Sequence, residues 1–392
     1  MILLVTVNLK SFCHNRSQFT YSIKVFEEGF GEELFPKSSS PRKEKFLKGF
    51  GKTFYKKFSQ EKMKIKNLDI GGNLFLAPMA GLTDTAFRSI CERYGASMTC
   101  TEMISAKAIH YRDKKTASLA HIERDSLPTA AQIFGHESEI MAEAAHLLAT
   151  GEYAYYDGCA LPDAIDINMG CPVKKIVTGG DGSALMKDPS RIFDIVRAVR
   201  SAVDLPLTVK IRAGWDSLSK NAVECALAAS EGGADAVCVH GRTREDLYTP
   251  PVDLDIIAAV KDALEIPVIG NGGIFTVSDA AKMLAYTHCD GLMIARGAVG
   301  NPFLFAEISA MIEKKEYKEP EIAEKLEIAH EHALLAASDK GESVSVHELK
   351  KHIAAYVKDI RGAAAFRARI FACEDFSEML GVLCEIRNAC GE

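Results

Sequence analysis

The chain has 392 residues, 47% of them hydrophobic and 26% charged, with a formal net charge of −6. That balance belongs to an ordinary globular protein with room for two domains, or for one large α/β barrel and an appendage. No apolar run reaches the roughly 18 residues a membrane span needs, and eleven scattered cysteines without a CxxC pair or Cys/His spacing argue against a metal site and for a reducing, cytoplasmic setting.

Residues 1–62 differ from the rest. They hold 12 Lys/Arg against 6 Asp/Glu, which leaves the remainder with 35 against 47 and a net charge of −12. A Ser38-Ser39-Ser40-Pro41 break and a basic run from Arg42 to Lys57 interrupt this segment, and no strand or helix period emerges. Met63 then opens Met63-Lys64-Ile65-Lys66-Asn67-Leu68-Asp69-Ile70, which reads as a domain start. Met63 is therefore expected to be the working initiator and 1–62 an upstream extension. The alternative is a flexible basic arm that touches RNA. An acidic body does not attract polyanions, so any such site has to be a local basic patch.

From about residue 72 to 310, short apolar strands alternate with helical stretches. Strands are predicted at 74–77, 98–101, 129–134, 164–168, 207–210, 236–240, 268–270 and 291–294. Helices are predicted near 84–94, 137–149, 189–203, 220–231, 254–264, 277–286 and 303–311. Eight such units over roughly 240 residues match a TIM barrel; a doubly wound sheet, the alternative, rarely needs eight evenly spaced units. Residues 315–392 carry no strand signal, and 322–337 and 346–361 have helical spacing. The expected architecture is a TIM (β/α)8 barrel over 63–312, then a small all-helical C-terminal domain over 313–392.

In a barrel, active-site groups sit at the C-terminal ends of the strands. Polar residues collect there: Glu102, Gln132, Asn168 to Cys171, Lys210 and Arg212, His240 to Arg242, Asn271-Gly272-Gly273, and Arg296-Gly297. The last two turns follow strands 7 and 8, where barrels commonly bind phosphate. Glycines let backbone N–H groups approach an anion, and an arginine adds a charge-assisted fork. Lys210 ends a buried strand, so it needs an anionic or carbonyl partner, whether a cofactor or an ion pair with Asp166 or Glu102. His240 alone fits a core histidine equally well. Gly179-Gly180-Asp181-Gly182 lacks the strand-to-helix setting and spacing of a dinucleotide loop and is set aside. Cys171 lies between Gly170 and Pro172, on a stiff turn at a strand mouth. A free cysteine is most often a small buried hydrophobe, so only its place on the barrel rim marks it for chemistry.

These segments together resemble the flavin-dependent tRNA-dihydrouridine synthases, most nearly the bacterial DusB-type branch. The resemblance rests on Ala77-Pro78-Met79-Ala80-Gly81-Leu82-Thr83-Asp84 with Phe87-Arg88, on Gln132-Ile133-Phe134-Gly135, and on Asp166 to Lys175. It continues through Val209 to Trp215, His240-Gly241-Arg242-Thr243, Asn271-Gly272-Gly273-Ile274 and Arg296-Gly297-Ala298, and covers about residues 64–370. It implies an FMN-binding TIM barrel followed by a helical tRNA-binding domain. Pro78, Met79 and Ala80 would contact the flavin, and Gln132 and Lys210 would hydrogen-bond it. Asn271, Gly272, Gly273, Ala295 and Arg296 would bind its phosphate, with His240 nearby. NADPH, or NADH, would be the reductant, and Cys171 the acid that protonates uracil C5. Asn168 is placed at the uracil edge, Lys175 and Arg212 at RNA phosphates, and Lys351 and His352 on the basic helical surface that would grip tRNA. A monomer without metal is expected. Departures are the Asn271-Gly272-Gly273 turn, which has Gly where Asp is frequent in the family, Ala295, where Gly is common, and an extra stretch at about Tyr153–Pro162. Two other readings are a barrel flavoenzyme that reduces a free pyrimidine or enoate, and an RNA-binding protein with secondary redox chemistry.

Overall fold

The computed structural model describes residues 62–123, 126–153, 159–249 and 251–390. The expectations for the N-terminal extension, and the middle of the Tyr153–Pro162 stretch, fall outside them. Eight parallel strands form the barrel: β1 (Leu74–Leu76), β2 (Thr99–Cys100), β3 (Thr129–Phe134), β4 (Ala164–Asn168), β5 (Leu207–Arg212), β6 (Ala236–His240), β7 (Val268–Asn271) and β8 (Gly291–Ile294). Pairing runs β1-β8-β7-β6-β5-β4-β3-β2, and a parallel bridge from Phe75 to Met98 closes the ring. A short strand, Ile104–Ser105, continues the pairing along β3 where β2 stops.

The outer helices are α1 (Thr85–Arg93), α2 (Ala106–His110), α3 (Ser138–Thr150), α4 (Pro189–Ala202), α5 (Ala222–Glu231), α6 (Leu254–Ala263), α7 (Val277–Thr287) and α8 (Leu304–Glu313). Their starts are written locally. The Asp84 side chain accepts from the Phe87 N–H ahead of α1, Asp188 with Pro189 opens α4, and Thr276 and Asp279 form a capping box on α7. Helix α2 has no counterpart among the predicted helices, because five residues show too few apolar repeats to declare a period.

The two-residue side-chain period of the strands sorts the barrel into layers. Phe75, Ala130, Ala164, Ala236, Cys238, Ile269 and Met293 form an interior apolar cluster with Met63, Ile65 and Ile70. Those last three belong to the segment around an antiparallel hairpin, Lys64–Ile65 with Leu68–Asp69, whose buried side chains join the interior core. The alternate strand positions pack outward on the helices in a second, larger cluster. Further along the inward-facing series, β3, β4, β6 and β7 change from apolar to polar, at Gln132, Asp166 and Asn168, His240 and Asn271, while the same face of β5 is polar throughout, at Thr208 and Lys210; most of these residues are buried.

After Glu313 every element is helical: α9 (Ile322–Lys340), α10 (Glu342–Glu348), α11 (Lys350–Tyr356), α12 (Ala363–Ala372) and α13 (Phe376–Cys390). The single helix expected at 346–361 is divided at Leu349 between α10 and α11. These helices share a core of Leu326, Ala329, Ala333, Ile353, Ile370, Met379, Leu383 and Ile386, which Ala86 of α1 joins. Polar groups hold the same junction. Lys340 pairs with Asp84 at 3.0 Å and with Glu348 at 2.6 Å, and His121 pairs with Asp339 at 3.0 Å. Among the described residues no helix is long and apolar enough to cross a membrane.

Candidate active site at the C-terminal mouth of the barrel

Adjacent strands bring the polar layer together in register: Gln132 beside Asp166, Asp166 beside Thr208, Asn168 beside Lys210, and Arg212 and Asn271 each beside His240. The side chains link into a belt. Asn168 Nδ2 donates to Gln132 Oε1 at 2.8 Å, and Gln132 Nε2 donates to Asp166 Oδ2 at 2.6 Å. Thr208 donates to the other oxygen of Asp166 at 2.5 Å. Across the barrel, Lys210 Nζ donates to Asn271 Oδ1 at 3.0 Å, and Asn271 Nδ2 donates to the Met293 carbonyl at 2.7 Å. Burial lifts the Asp166 carboxyl to about 6, against the pull of its two donors and of Lys210. Lys210 therefore satisfies part of its need through Asn271 rather than through an ion pair with Asp166 or Glu102; Glu102 accepts the Gly81 N–H at 2.7 Å. An ammonium has three donors, so Lys210 keeps capacity for a ligand. Gln132 already has a partner at each end of its amide.

On the β6–β8 side the site is cationic. His240 and Arg242 are buried, with Arg242 Nη1 3.2 Å from His240 Nε2. Burial, then Lys210, Arg212, Arg242 and Arg296, hold the His240 imidazole neutral, well below its ordinary range. Gly272 sits at φ +109, and a Cβ there would lie 2.5 Å from His240 Cδ2. Gly273 sits at φ +70, and a Cβ on Gly297 would meet the Ile274 carbonyl at 2.1 Å. Arg296 is exposed and lies 4.3 Å from the centre of the Tyr248 ring. Glycine turns without room for side chains, beside the cations Arg242 and Arg296, fit a phosphate dianion. Ala295 and Arg296 share this rim. Pro78 and Met79 are half-buried and Ala80 is exposed on the turn after β1; Thr83 fixes that turn by accepting the Met79 N–H at 2.8 Å.

Cys171 follows β4, is partly exposed, and lies near the cations Arg212 and Lys210. Burial nonetheless pushes its thiol up, so it is protonated at neutral pH. Its turn is built by Asn168, whose Oδ1 accepts from the Gly170 and Cys171 N–H groups at 3.2 and 2.9 Å. Arg212 braces the same turn from below, with Nε donating to the Gly170 carbonyl at 2.8 Å and Nη1 to the Thr243 and Leu247 carbonyls at 2.8 and 3.1 Å.

Three sequence-based assignments are placed differently from expectation. Arg212 is only 3% exposed and gives its donors to backbone carbonyls, so it anchors two loops instead of meeting phosphates at a surface. Asn168 commits its carbonyl to the Cys171 turn and its amide to Gln132, which leaves less of it for a substrate edge than expected. His352 is buried in the junction of α11 with the barrel, its Nε2 3.0 Å from the Leu82 carbonyl, and not on an exposed face. Its basic neighbours in sequence concealed that it falls on the inward face of a helix. Lys175 and Lys351 are exposed. Asp166, weighed only as an ion-pair partner of Lys210, and Thr208 were not assigned as site residues, although strand parity puts each on the face of a residue that was, Asn168 and Lys210; Arg242 was noted at the strand mouth without a role.

A family model described as "Dihydrouridine synthase (Dus)" matches residues 75–389. The chain is 40% identical over 314 residues to tRNA-dihydrouridine synthase B of Pseudomonas putida, covering 80% of this chain and 90% of that one. It is 38% identical to tRNA-dihydrouridine synthase B of Vibrio cholerae, covering 82% and 97%. A probable tRNA-dihydrouridine synthase 1 of a Synechocystis strain is 39% identical, covering 81% and 86%.

Proposed function

The chain belongs to the dihydrouridine synthase family, a family of enzymes, and from that premise we propose that it reduces specific uridines of tRNA to 5,6-dihydrouridine, with bound FMN as cofactor and NADPH as the source of electrons. The observation that carries the reading is the juxtaposition, at one barrel mouth, of a protonated thiol on a fixed turn and a cationic glycine cradle for phosphate. When bound, reduced FMN supplies the hydride that uracil accepts at C6.

The remaining work falls to this chain's residues. Gly272, Gly273, Ala295 and Arg296 hold the phosphate by backbone N–H groups and charge, and a neutral His240 donates or accepts without adding to the crowd of cations. Lys210, kept in place by Asn271, offers its remaining N–H donors to carbonyl oxygens of the flavin ring. Gln132 lies in the same layer, and Pro78, Met79 and Ala80 bound the ring. Reducing the C5–C6 bond takes a hydride at C6 and a proton at C5. Cys171 gives that proton as a general acid, and its thiolate is reprotonated from water. NADPH and uridine use the same mouth in turn, since the described residues hold no dinucleotide-binding domain beside the barrel. A uridine stacked in folded RNA has to be turned out to reach this depth. The helices after α8 serve as the tRNA-gripping domain, with exposed Lys351 in it and Lys175 beside the mouth.

The test is a purified chain with flavin absorbance, RNA-dependent NADPH oxidation and dihydrouridine formed in unmodified tRNA. Cys171→Ala is expected to retain the flavin and to lose about two to four orders of magnitude in uridine reduction. Full activity in that variant removes Cys171 from the mechanism. NADPH oxidation driven by free uracil or an enoate, and not by tRNA, replaces this reading with a small-molecule reductase.

A further inference from the structure

The segment Gly179-Gly180-Asp181-Gly182-Ser183 is too irregular for a dinucleotide loop, and the proposed reaction gives it no part. In the fold it lies directly against the Cys171 turn. The Ser183 N–H donates to the Cys171 carbonyl at 3.1 Å, and the buried Ser183 hydroxyl donates to the same oxygen at 2.9 Å. Gly182 sits at φ +59, and a Cβ there would lie 2.9 Å from the Cys171 carbonyl oxygen and 3.1 Å from Cys171 Cβ. The segment is itself pinned, because the Asp181 carboxylate meets His136 Nδ1 at 2.6 Å.

Both polar groups of the Cys171 peptide are thus occupied. Asn168 takes its N–H from one side, and Ser183 takes its carbonyl twice from the other. With the backbone fixed, the thiol has only rotation about Cα–Cβ left, and the missing side chain of Gly182 leaves that Cβ the room it occupies, since a Cβ at 182 would lie 3.1 Å from it. An acid that delivers a proton to one carbon atom benefits from such restriction, because a displacement of about 1 Å costs on the order of a hundredfold in rate.

We propose that Gly182 and Ser183 are positioning residues that aim the Cys171 thiol for proton transfer; this rests on the reading of Cys171 as the acid. The experiment uses the full-length flavin-loaded protein and three variants. Ser183→Ala removes one hydrogen bond and adds no bulk. Gly182→Ala adds a methyl group against Cys171. Gly179→Ala, in the same segment at an ordinary φ and clear of Cys171, is the control.

Three readouts separate the explanations: NADPH reduction of the flavin without RNA, single-turnover uridine reduction with kcat and KM for tRNA, and the rate of Cys171 alkylation by iodoacetamide, followed on its peptide. Ser183→Ala is expected to lower uridine reduction about tenfold and to change the alkylation rate, with flavin reduction and KM unaltered. Gly182→Ala is expected to fall further, on the order of a hundredfold, and Gly179→Ala to match the parent. Parental uridine reduction in Ser183→Ala overturns the proposal, as does a loss of rate with unchanged alkylation of Cys171. Ser183→Ala has no reason to misfold, so it decides the question even if Gly182→Ala fails to fold. If Cys171→Ala itself is fully active, the underlying reading has failed, and that result is distinct from active Ser183→Ala beside inactive Cys171→Ala.

Discussion

At the scale of single residues, the belt around Asp166 defines what the mouth of the barrel can hold. Its carboxyl is buried and bonded twice, yet its pKa is lifted to about 6 from 3.8. A folded-state pKa above the unfolded one means that the native protein holds this proton longer. The resulting stability is present below pH 3.8 and is lost as pH rises through about 6, with each pH unit between the two values worth about 1.4 kcal/mol. Asp166→Asn is therefore expected to flatten this component: measured by thermal unfolding, its stability relative to the parent rises between pH 4 and pH 7.5. A constant difference across that range shows Asp166 to be ionised throughout. The same residue marks what a sequence leaves hidden. Asp166 lies two residues before Asn168 on one face of a strand, and strand parity places both inside. Its donors Gln132 and Thr208, however, come from neighbouring strands whose register no local pattern announces. Cys171 was legible as a residue on a stiff turn. Its second support, Ser183, was not, because twelve residues separate the two and a 3-10 turn brings them together.

At the scale of elements, long periodic segments were plain in the sequence and short ones were not. β3, β4, β6 and β8 occupy the predicted residues because each is a largely apolar or β-branched run, ended in β3, β4 and β6 by glycine or a polar group. α10 and α11 read as one helix because the apolar spacing continues across Leu349, which itself keeps helical dihedrals of φ −71 and ψ −20 between them. The junction of α9 and α11 with α1 has its own chemistry. His332 is wholly buried against Phe87, with ring centroids 5.5 Å apart, and His352 lies 4.6 Å from His332. Neither His332 nitrogen has a hydrogen-bond partner among the described residues. Burial, then the neighbouring imidazole, lowers His332 to about 3, and burial lowers His352 to about 4, although Asp84 opposes the change. Folded-state values below the unfolded 6.5 mean stability that is complete above pH 6.5 and is lost as pH falls toward 4 and 3. The loss is about 1.4 kcal/mol per pH unit for each imidazole. His332→Leu is expected to remove close to one proton from the acid dependence of unfolding between pH 6.5 and 4.5, without loss of stability at pH 8, since it removes two unpartnered nitrogens. An unchanged slope shows that His332 does not titrate in unfolding.

At the scale of the whole molecule, charge has to be reconciled with a polyanionic substrate. Residues 63–392 carry a net −12, and the helical region 313–392 holds 12 Lys/Arg against 16 Asp/Glu. The region as a whole is therefore not basic; the positive charge is concentrated in 350–372, with six Lys/Arg against one Asp. There Arg369 pairs with Glu385 at 2.6 Å, and Lys350 donates to the Phe371 carbonyl at 3.0 Å, while Lys351, Lys358, Arg361 and Arg367 are exposed. If these four contact tRNA phosphates, each releases counterions on binding, and the slope of log affinity against log salt falls by about 0.7 to 0.9 for every contact removed. Lys351→Gln with Arg361→Gln is expected to weaken binding and to lower that slope by about 1.5. His352→Gln and Arg212→Lys leave the slope at its parental value, because both residues are buried within the protein. Arg212→Lys should still impair uridine reduction, since a lysine cannot reproduce the three carbonyl contacts that support the Cys171 turn. Titration of binding from low to moderate salt measures each slope. A parental slope in the Lys351/Arg361 variant moves the RNA surface away from α11 and α12, toward the exposed Lys174 and Lys175 beside Cys171, whose substitution would then have to carry the loss.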